Sequence, residues 1–272
     1  MTATLLGTDV ADVLDAVLAD GPETLYVVNP SGRVLERLTN AAVASGDDLP
    51  PIRVLGESEM LKAVLDDFLV ASTAADLIEA DVLSLRTLSE SVYCSTIVTD
   101  VATVAVVEAE DVVGGLATKD ADFVDVTFES ATAEWNRSSS YSLRTPAISR
   151  VYETLEREIG PDVREDFEAM LGALETARGD GTDLDEVTIS LLVAAANGVL
   201  LYDISKWGED VGIASKATFS RTKTKLEDVG LVDTEKVPID VGRPRLRLRL
   251  AGDLADADPE AVVATAVETL SS

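Results

Sequence analysis

The chain contains no histidine, a single cysteine and few aromatic residues, 4% of the total. Without histidine there is no imidazole metal ligand and no Ser–His or Cys–His nucleophile pair. Cys94 alone permits neither an intrachain disulfide nor a thiolate metal cluster. Within the apolar stretch Val92 to Asp100 it is expected to be a buried small hydrophobe rather than a redox sensor. No apolar run approaches the roughly 18 residues of a membrane span. The N-terminal residues lack the basic start of a signal peptide. These absences predict a cytoplasmic protein without metal, cofactor or membrane attachment.

Positive charge is also scarce. Twenty-two Lys and Arg stand against 50 Asp and Glu, for a net charge of −28. Abundant Asp, Glu, Ala, Val and Thr with few lysines is the balance of a halophilic protein kept hydrated in molar salt. Most of the negative charge is therefore read as a solvated surface. One window departs from it. Asp203 to Leu250 holds 10 basic and 8 acidic residues, including five of the seven lysines. That window carries +2 and the remainder −30. Such asymmetry points to a polyanionic partner.

Along the chain, Thr8-Asp9 caps a helix carrying Val10, Val13, Leu14 and Val17 on one face. Thr24–Val28, Ile52–Leu55 and Val82–Arg86 read as strands separated by helical stretches, the second a single longer helix through Leu61, Val64, Leu65 and Phe68. Tyr93–Thr99, Thr103–Glu108 and Gly114–Thr118 read as an antiparallel meander. Asp120 caps a helix bearing Val124, Phe128, Ala131 and Trp135. The order implies one mixed sheet with helices packed on it. The Ser-rich stretch Asn136–Leu143 suits a linker. Helices opened by Pro146 and Pro161 follow, and their apolar stripes fit a domain connector, a dimer seam or packing on their own domain. Arg178–Thr182 is a second linker. The acids Asp180, Asp183, Asp185 and Glu186 lack calcium-loop spacing, and Asp183 is read as a helix cap. The expected domains are an α/β regulatory or sensor domain over 1–144, a helical connector over 145–180, a winged helix-turn-helix over 181–252 and a terminal helix over 253–272.

Within the basic window, an apolar helix from about Leu184 to Asn197 backs a second helix over Asp203–Asp210. The turn Val211-Gly212-Ile213-Ala214 leads to a third helix, capped by Ser215 and stopped at Gly230. With Phe219 at the centre of its buried face, Thr222 and Leu226 share that face at 100° per residue. Ala217, Thr218, Ser220, Arg221, Thr224 and Lys225 then cover the other side. These small, polar or basic residues suit a major groove ~12 Å wide. Lys216 and Lys223 flank the buried face, within reach of phosphates. No acid occurs from Ile213 to Leu226, where an ordinary helix of this composition would carry several. Leu231–Val237 and Pro244–Leu250 make a hairpin tipped by Asp240-Val241-Gly242-Arg243. Period two sends Leu246, Leu248 and Leu250 inward and Arg245, Arg247 and Arg249 outward, as a DNA-contacting wing requires. Trp207 is assigned to packing between helices.

The segment Ile213 to Arg221, followed by Leu226-Glu227-Asp228-Val229-Gly230-Leu231-Val232, resembles the recognition helix and first wing strand of bacterial and archaeal winged-helix regulators. Over nearly its whole length the chain resembles the haloarchaeal TbsP family of transcriptional regulators. That resemblance implies a DNA-binding protein that controls metabolic genes. The first ~140 residues resemble the phospholipase D-like half-domain of some archaeal sugar-responsive regulators. The catalytic His–Lys motif is absent, so the resemblance implies fold and sensing, not hydrolysis.

The expected function is sequence-specific binding of double-stranded promoter or operator DNA. Ser215, Lys216, Ala217, Thr218, Ser220, Arg221, Thr224, Lys225, Arg243 and Arg245 form the expected interface. A small-molecule metabolite effector belongs to the same expectation, with Arg86, Thr96, Thr99, Trp135, Arg137 and Ser138 to Ser140 placed near strand ends where it would bind. A terminal helix carrying Val262, Val263, Ala266 and Leu270 needs a partner surface, on its own domain or on a second subunit, and a homodimer is expected. The alternative is an interaction module whose winged helix binds protein. An enzyme reading finds no support: neither G-x-x-x-x-G-K nor H-E-x-x-H occurs.

Overall fold

The computed structural model describes residues 3–6, 9–46, 49–89, 94–109, 112–177, 184–238 and 244–271. The chain divides into two compact units, Met1–Ala147 and Ile148–Ser272. They correspond to the expected fold class, an α/β unit with a mixed sheet followed by a helix-turn-helix unit.

The first unit runs β1 (Ala3–Leu6), α1 (Val10–Leu18), β2 (Leu25–Val28), α2 (Gly32–Ser45), β3 (Ile52–Gly56), α3 (Ser58–Val64), α4 (Phe68–Glu79), β4 (Leu83–Thr87), β5 (Thr96–Thr99), β6 (Thr103–Ala109), β7 (Val112–Thr118), α5 (Ala121–Arg137) and β8 (Ser139–Ser140). The strands form one sheet in the order β1-β7-β6-β5-β2-β3-β4-β8. β2 is parallel to β3 and β3 to β4, while every other pairing is antiparallel. All four residues of the central β2 are buried, as parallel strands covered on both faces require. Alternation sends Leu25 and Val27 into a large core with α1, α2, α3 and α4. Tyr26 and Val28 enter a smaller core under α5, with Leu55, Val98, Ala131, Phe128 and Trp135.

Local chemistry explains where the structure departs from expectation. The long helix through Leu61 and Phe68 is two helices. The Asp67 carboxylate accepts from the backbone N–H groups of Leu69 and Val70 at 2.9 and 3.2 Å, so it caps a new helix in mid-pattern. The Ser-rich stretch is not a free linker. Ser138 closes α5 by donating its hydroxyl to the Glu134 carbonyl at 2.7 Å, and Ser139–Ser140 adds an edge strand to β4. Strand pairing is a backbone interaction, so a polar edge dipeptide can supply it. β1 is too short to show a hydrophobic period. Cys94 is exposed, not buried, because β5 begins only at Thr96.

Glu134 is the notable polar group of this unit, 7% exposed on α5. Its carboxylate accepts from the backbone N–H and hydroxyl of Ser89 at 2.9 and 2.7 Å. The Ser138 hydroxyl and the Arg137 guanidinium also bind it. Burial alone raises its pKa, but these donors together outweigh burial and hold it below the ordinary carboxylate value.

The second unit comprises α6 (Ile148–Glu158), α7 (Pro161–Ala177), α8 (Glu186–Ala196), α9 (Leu201–Val211), α10 (Lys216–Asp228), β9 (Val232–Val237), β10 (Arg245–Leu250), a 3-10 turn over Gly252–Asp256 and α11 (Pro259–Leu270). Residues 187–195 of α8 are all buried, as befits a helix surrounded by its neighbours. Its cap is Asp185, which accepts from Thr188 N at 2.7 Å; Asp183, the expected cap, lies outside the described residues. α6 and α7 pack within this unit, and α11 lies against α7 with Val262, Val263 and Ala266 buried. The apolar stripe of the terminal helix is thus satisfied within the chain.

Replacing Glu134 with Gln tests the buried carboxylate. At pH 7 the variant is expected to lose roughly 1–3 kcal/mol in the first unit, measured by denaturant titration with Trp135 fluorescence. A folded pKa below the unfolded one gives stability that is present above the unfolded value, about 4.3, and lost as pH falls through the folded value. The gap between variant and wild type should therefore close in acid, and a gap independent of pH would contradict the assignment.

Candidate nucleic-acid interface

Presentation of α10 depends on how closely it crosses α9. Gly208 of α9 is buried, and a methyl built there would lie 2.3 Å from the Phe219 ring of α10. Phe219 itself is fully buried. The pair therefore brings a ring directly onto helix backbone, which only glycine permits. Gly212 ends α9 at φ 98°, the left-handed region that favours glycine. The Ile213 N–H donates back to the Gly208 carbonyl at 2.8 Å. Ser215 caps α10, its hydroxyl accepting from Thr218 N at 3.2 Å.

The other side of α9 is locked from behind. Trp207 is buried, and its Nε1 donates to the Thr154 hydroxyl on α6 at 3.0 Å. It meets Phe167 of α7 edge-on at 6.4 Å between centroids, and Phe167 meets Tyr152 at 6.2 Å. Buried aromatic pairs of this kind add to the area they bury. They anchor α9, and through Gly208 the position of α10.

Phe219 and Leu226 form the buried stripe of α10. Ser215, Lys216, Ala217, Ser220, Arg221, Thr224 and Lys225 are exposed, and Thr218 is half-buried. The Thr224 hydroxyl donates to the Ser220 carbonyl at 3.1 Å. The cations divide into two groups. Lys216 pairs with Glu209 at 2.6 Å, Lys206 pairs with Asp210, and Lys223 pairs with Glu227 at 2.7 Å. Hydrogen bonding between Lys216 and Glu209 raises the one pKa and lowers the other. Arg221 and Lys225 have no carboxylate partner among the described residues. Arg221 reaches Thr218 Oγ1, at 3.5 Å.

Lys223 departs from expectation. Its side chain is only 11% exposed and is held against α10 by Glu227, so it is not poised for phosphate. Glu227 also accepts from the Thr234 hydroxyl on β9 at 2.8 Å. Burial raises the Glu227 pKa, but Lys223 and Thr234 together hold it below its ordinary value. One carboxylate thus ties α10 to the hairpin.

In the hairpin, Arg245 faces Val237 and Leu250 faces Val232 across an antiparallel ladder. Leu248 and Leu250 are buried, as alternation predicts. The arginines are not equivalent. Arg249 is exposed and lies 3.7 Å from Glu235. Arg245 is half-buried, 4.6 Å above the Tyr202 ring and 3.5 Å from Asp203. Arg247 is half-buried rather than outward, and its Nε has no hydrogen-bond partner among the described residues. The reason is an extra pairing: Leu200 bridges to Arg247, and Leu248 N donates to the Val199 carbonyl at 2.9 Å. The chain between α8 and α9 therefore covers this edge of β10. Arg243 and the expected tip over 240–243 lie outside the described residues.

The residues expected near an effector separate in the first unit. Arg86 stacks 4.6 Å above the Trp135 ring and donates to the Trp135 and Ser138 carbonyls at 2.6 and 3.2 Å. Arg53, on the neighbouring strand, joins them over the same ring and donates to the Tyr26 hydroxyl at 2.7 Å. Thr99 is fully buried and Ser139–Ser140 is edge strand. Of that set, Thr96 and Arg137 line an open cavity beside α5.

The chain matches the family models described as transcriptional regulator TbsP-like, N-terminal, over residues 2–146, and transcriptional regulator TbsP-like, C-terminal HTH domain, over residues 147–267. No curated protein sequence matches it. Among solved structures it is similar to TrmBL2, an archaeal chromatin protein whose structure is described as showing a novel mode of DNA binding. That match has 14% identity and a TM-score of 0.38, over 52% of this chain and 54% of that one. The chain thus spans about half the length of that protein. It is also similar to Nuc, a phospholipase D family member from Salmonella typhimurium, with 12% identity and a TM-score of 0.36, over 52% of this chain and 99% of that one.

The Gly208–Phe219 crossing is tested by Gly208→Ala, which is expected to destabilise the second unit by roughly 1–3 kcal/mol, followed through Trp207 fluorescence. Gly172→Ala is the control. Gly172 is an exposed helical glycine with open space around it, and the change should stabilise by about 0.5–1 kcal/mol. Equal stability of Gly208→Ala and wild type would contradict the close approach.

Proposed function

We propose, from the premise that the chain belongs to the TbsP-like family of transcriptional regulators, that it binds promoter DNA sequence-specifically through α10 and the hairpin. α10 enters the major groove, and Ala217, Thr218, Ser220, Arg221, Thr224 and Lys225 face base edges. Ser215 and Lys216 at its start, with Arg243 and Arg245 of the hairpin acting as a wing, set register on phosphates. The observation that carries this reading is the exposed face of α10, which bears no acid from Lys216 to Lys225. Among the described residues, Arg221 and Lys225 on it stand without carboxylate partners, while Lys206, Lys216 and Lys223 are engaged.

Net charge supports the same orientation. Outside the basic window the chain carries −30, which repels a polyanion from other faces. In a halophilic cytoplasm the release of counterions contributes little, because affinity falls as a power of salt. Base contacts, close fit and ordered water must then supply the affinity. The first unit is read as the regulatory domain, answering a small-molecule metabolite and so linking metabolic genes to its supply. A homodimer belongs to the reading, since one helix-turn-helix covers a single half-site. A monomer by light scattering in molar salt would remove that part.

The test is fluorescence anisotropy in about 2 M KCl on sites found by genome-wide immunoprecipitation. Arg221→Ala is expected to cost about 1–3 kcal/mol of discrimination at one base pair. Arg243→Ala is expected to weaken all sequences alike. Equal, sequence-blind losses for both would refute the division of roles, and absence of any DNA binding would refute the reading itself.

A further inference from the structure

α5 covers only part of its side of the sheet. Beyond it β6 and β7 present Thr103, Ala105, Leu116 and Thr118 to an open cavity of about 510 Å³, closed on its other flank by α5. That volume falls within the ~300–1,000 Å³ of small-molecule sites. Leu116 and Phe123 on its walls are 55% and 52% exposed, unusual for large apolar side chains with no partner surface. The Glu134–Arg137 pair also lines the cavity.

The lining specifies the ligand's chemistry. The charges of Glu134 and Arg137 cancel, and Glu134 already accepts from Ser89 and Ser138. A charged ligand would find no free counter-charge, and burying it unpaired is costly. The Thr103 and Thr127 hydroxyls bond each other at 2.6 Å, and Thr118 Oγ1 accepts from Asp120 N at 3.2 Å. Among the described residues the hydroxyls of Thr96 and Ser130 carry no hydrogen bond. Those two groups can each donate and accept. We infer that this cavity is a ligand site for a neutral small molecule with an apolar body and hydroxyl or carbonyl groups along one edge. The inference rests on the regulatory reading of the first unit.

Cys94 provides the assay. It is the chain's sole cysteine, it lines the cavity and it is exposed. Alkylation by N-ethylmaleimide would be timed in molar KCl with neutral dihydroxynaphthalene or anionic hydroxynaphthoate as the probe. At a dihydroxynaphthalene concentration about ten times its Kd, the reaction should slow about tenfold, as mass action requires of a blocked thiol. Thr96→Val removes one hydroxyl and should weaken the probe by roughly 2- to 10-fold. Ser130→Trp, an exposed helix position, fills the cavity and should leave a rate that the probe no longer changes. No slowing by the neutral probe, or stronger protection by the anion, would overturn the proposal. So would protection that grows with protein concentration alone, which would give this face to a second copy of the chain. Promoter DNA affinity is read on the same samples. Protection with unchanged affinity would keep the site and overturn the regulatory reading, whereas intact DNA binding without protection would overturn the site alone.

Discussion

The contact between the Phe219 ring and the Gly208 backbone is the constraint on which the second unit depends. A side chain at position 208 would push α10 away from α9, and the face of α10 would turn with it. The surrounding aromatic chain, Trp207 to Phe167 to Tyr152, fixes α9 against α6 and α7. An exposed polar helix thus takes its orientation from a buried apolar stack whose Tyr152 and Phe167 lie far away in sequence. The helix itself contributes only Phe219 and Leu226 to the core.

Charge is organised by the same geometry. Carboxylates on α9 and at the end of α10 neutralise the lysines around the rim of the helix-turn-helix, and they leave Arg221 and Lys225 as the cations of its outer face. In a chain of net charge −28, removing acids from one helix face creates as much contrast as adding bases would. Exposed ion pairs contribute little stability, so the pairing at Lys206 and Lys216 matters more for where the positive field ends than for how firmly the unit holds together.

Much of this was legible in the sequence, and most of the parts that were not share a cause. Caps were readable where one polar residue precedes an apolar period: Asp9, Asp120 and Ser215 all occupy those positions. Phe219 and Leu226 follow from helical spacing alone. Features that depend on a partner distant in sequence were not readable. Gly208 looks like a weak point in a helix until Phe219 is placed opposite it. The Leu200 bridge that half-buries Arg247 requires knowing which strand edge the inter-helix chain passes. Lys223 reads as a free cation until Glu227, one turn away, is seen to be held by Thr234 as well. β1 and β8 are too short to carry any period, and Asp67 sits inside a continuous apolar pattern that hides the break between α3 and α4. In the first unit the cavity beside α5 is invisible to sequence, because it arises from what α5 fails to cover.

The tie made by Glu227 has a mechanical meaning. Because one carboxylate holds both Lys223 on α10 and Thr234 on β9, helix and hairpin are tied to each other like the two arms of a caliper. On the proposed docking, with α10 in the major groove and the hairpin on phosphate, such a unit would gauge the distance from groove floor to the adjoining phosphate ridge. Duplexes whose grooves are wider or narrower must deform to fit, and the cost of deformation varies with sequence at base pairs that no side chain reaches.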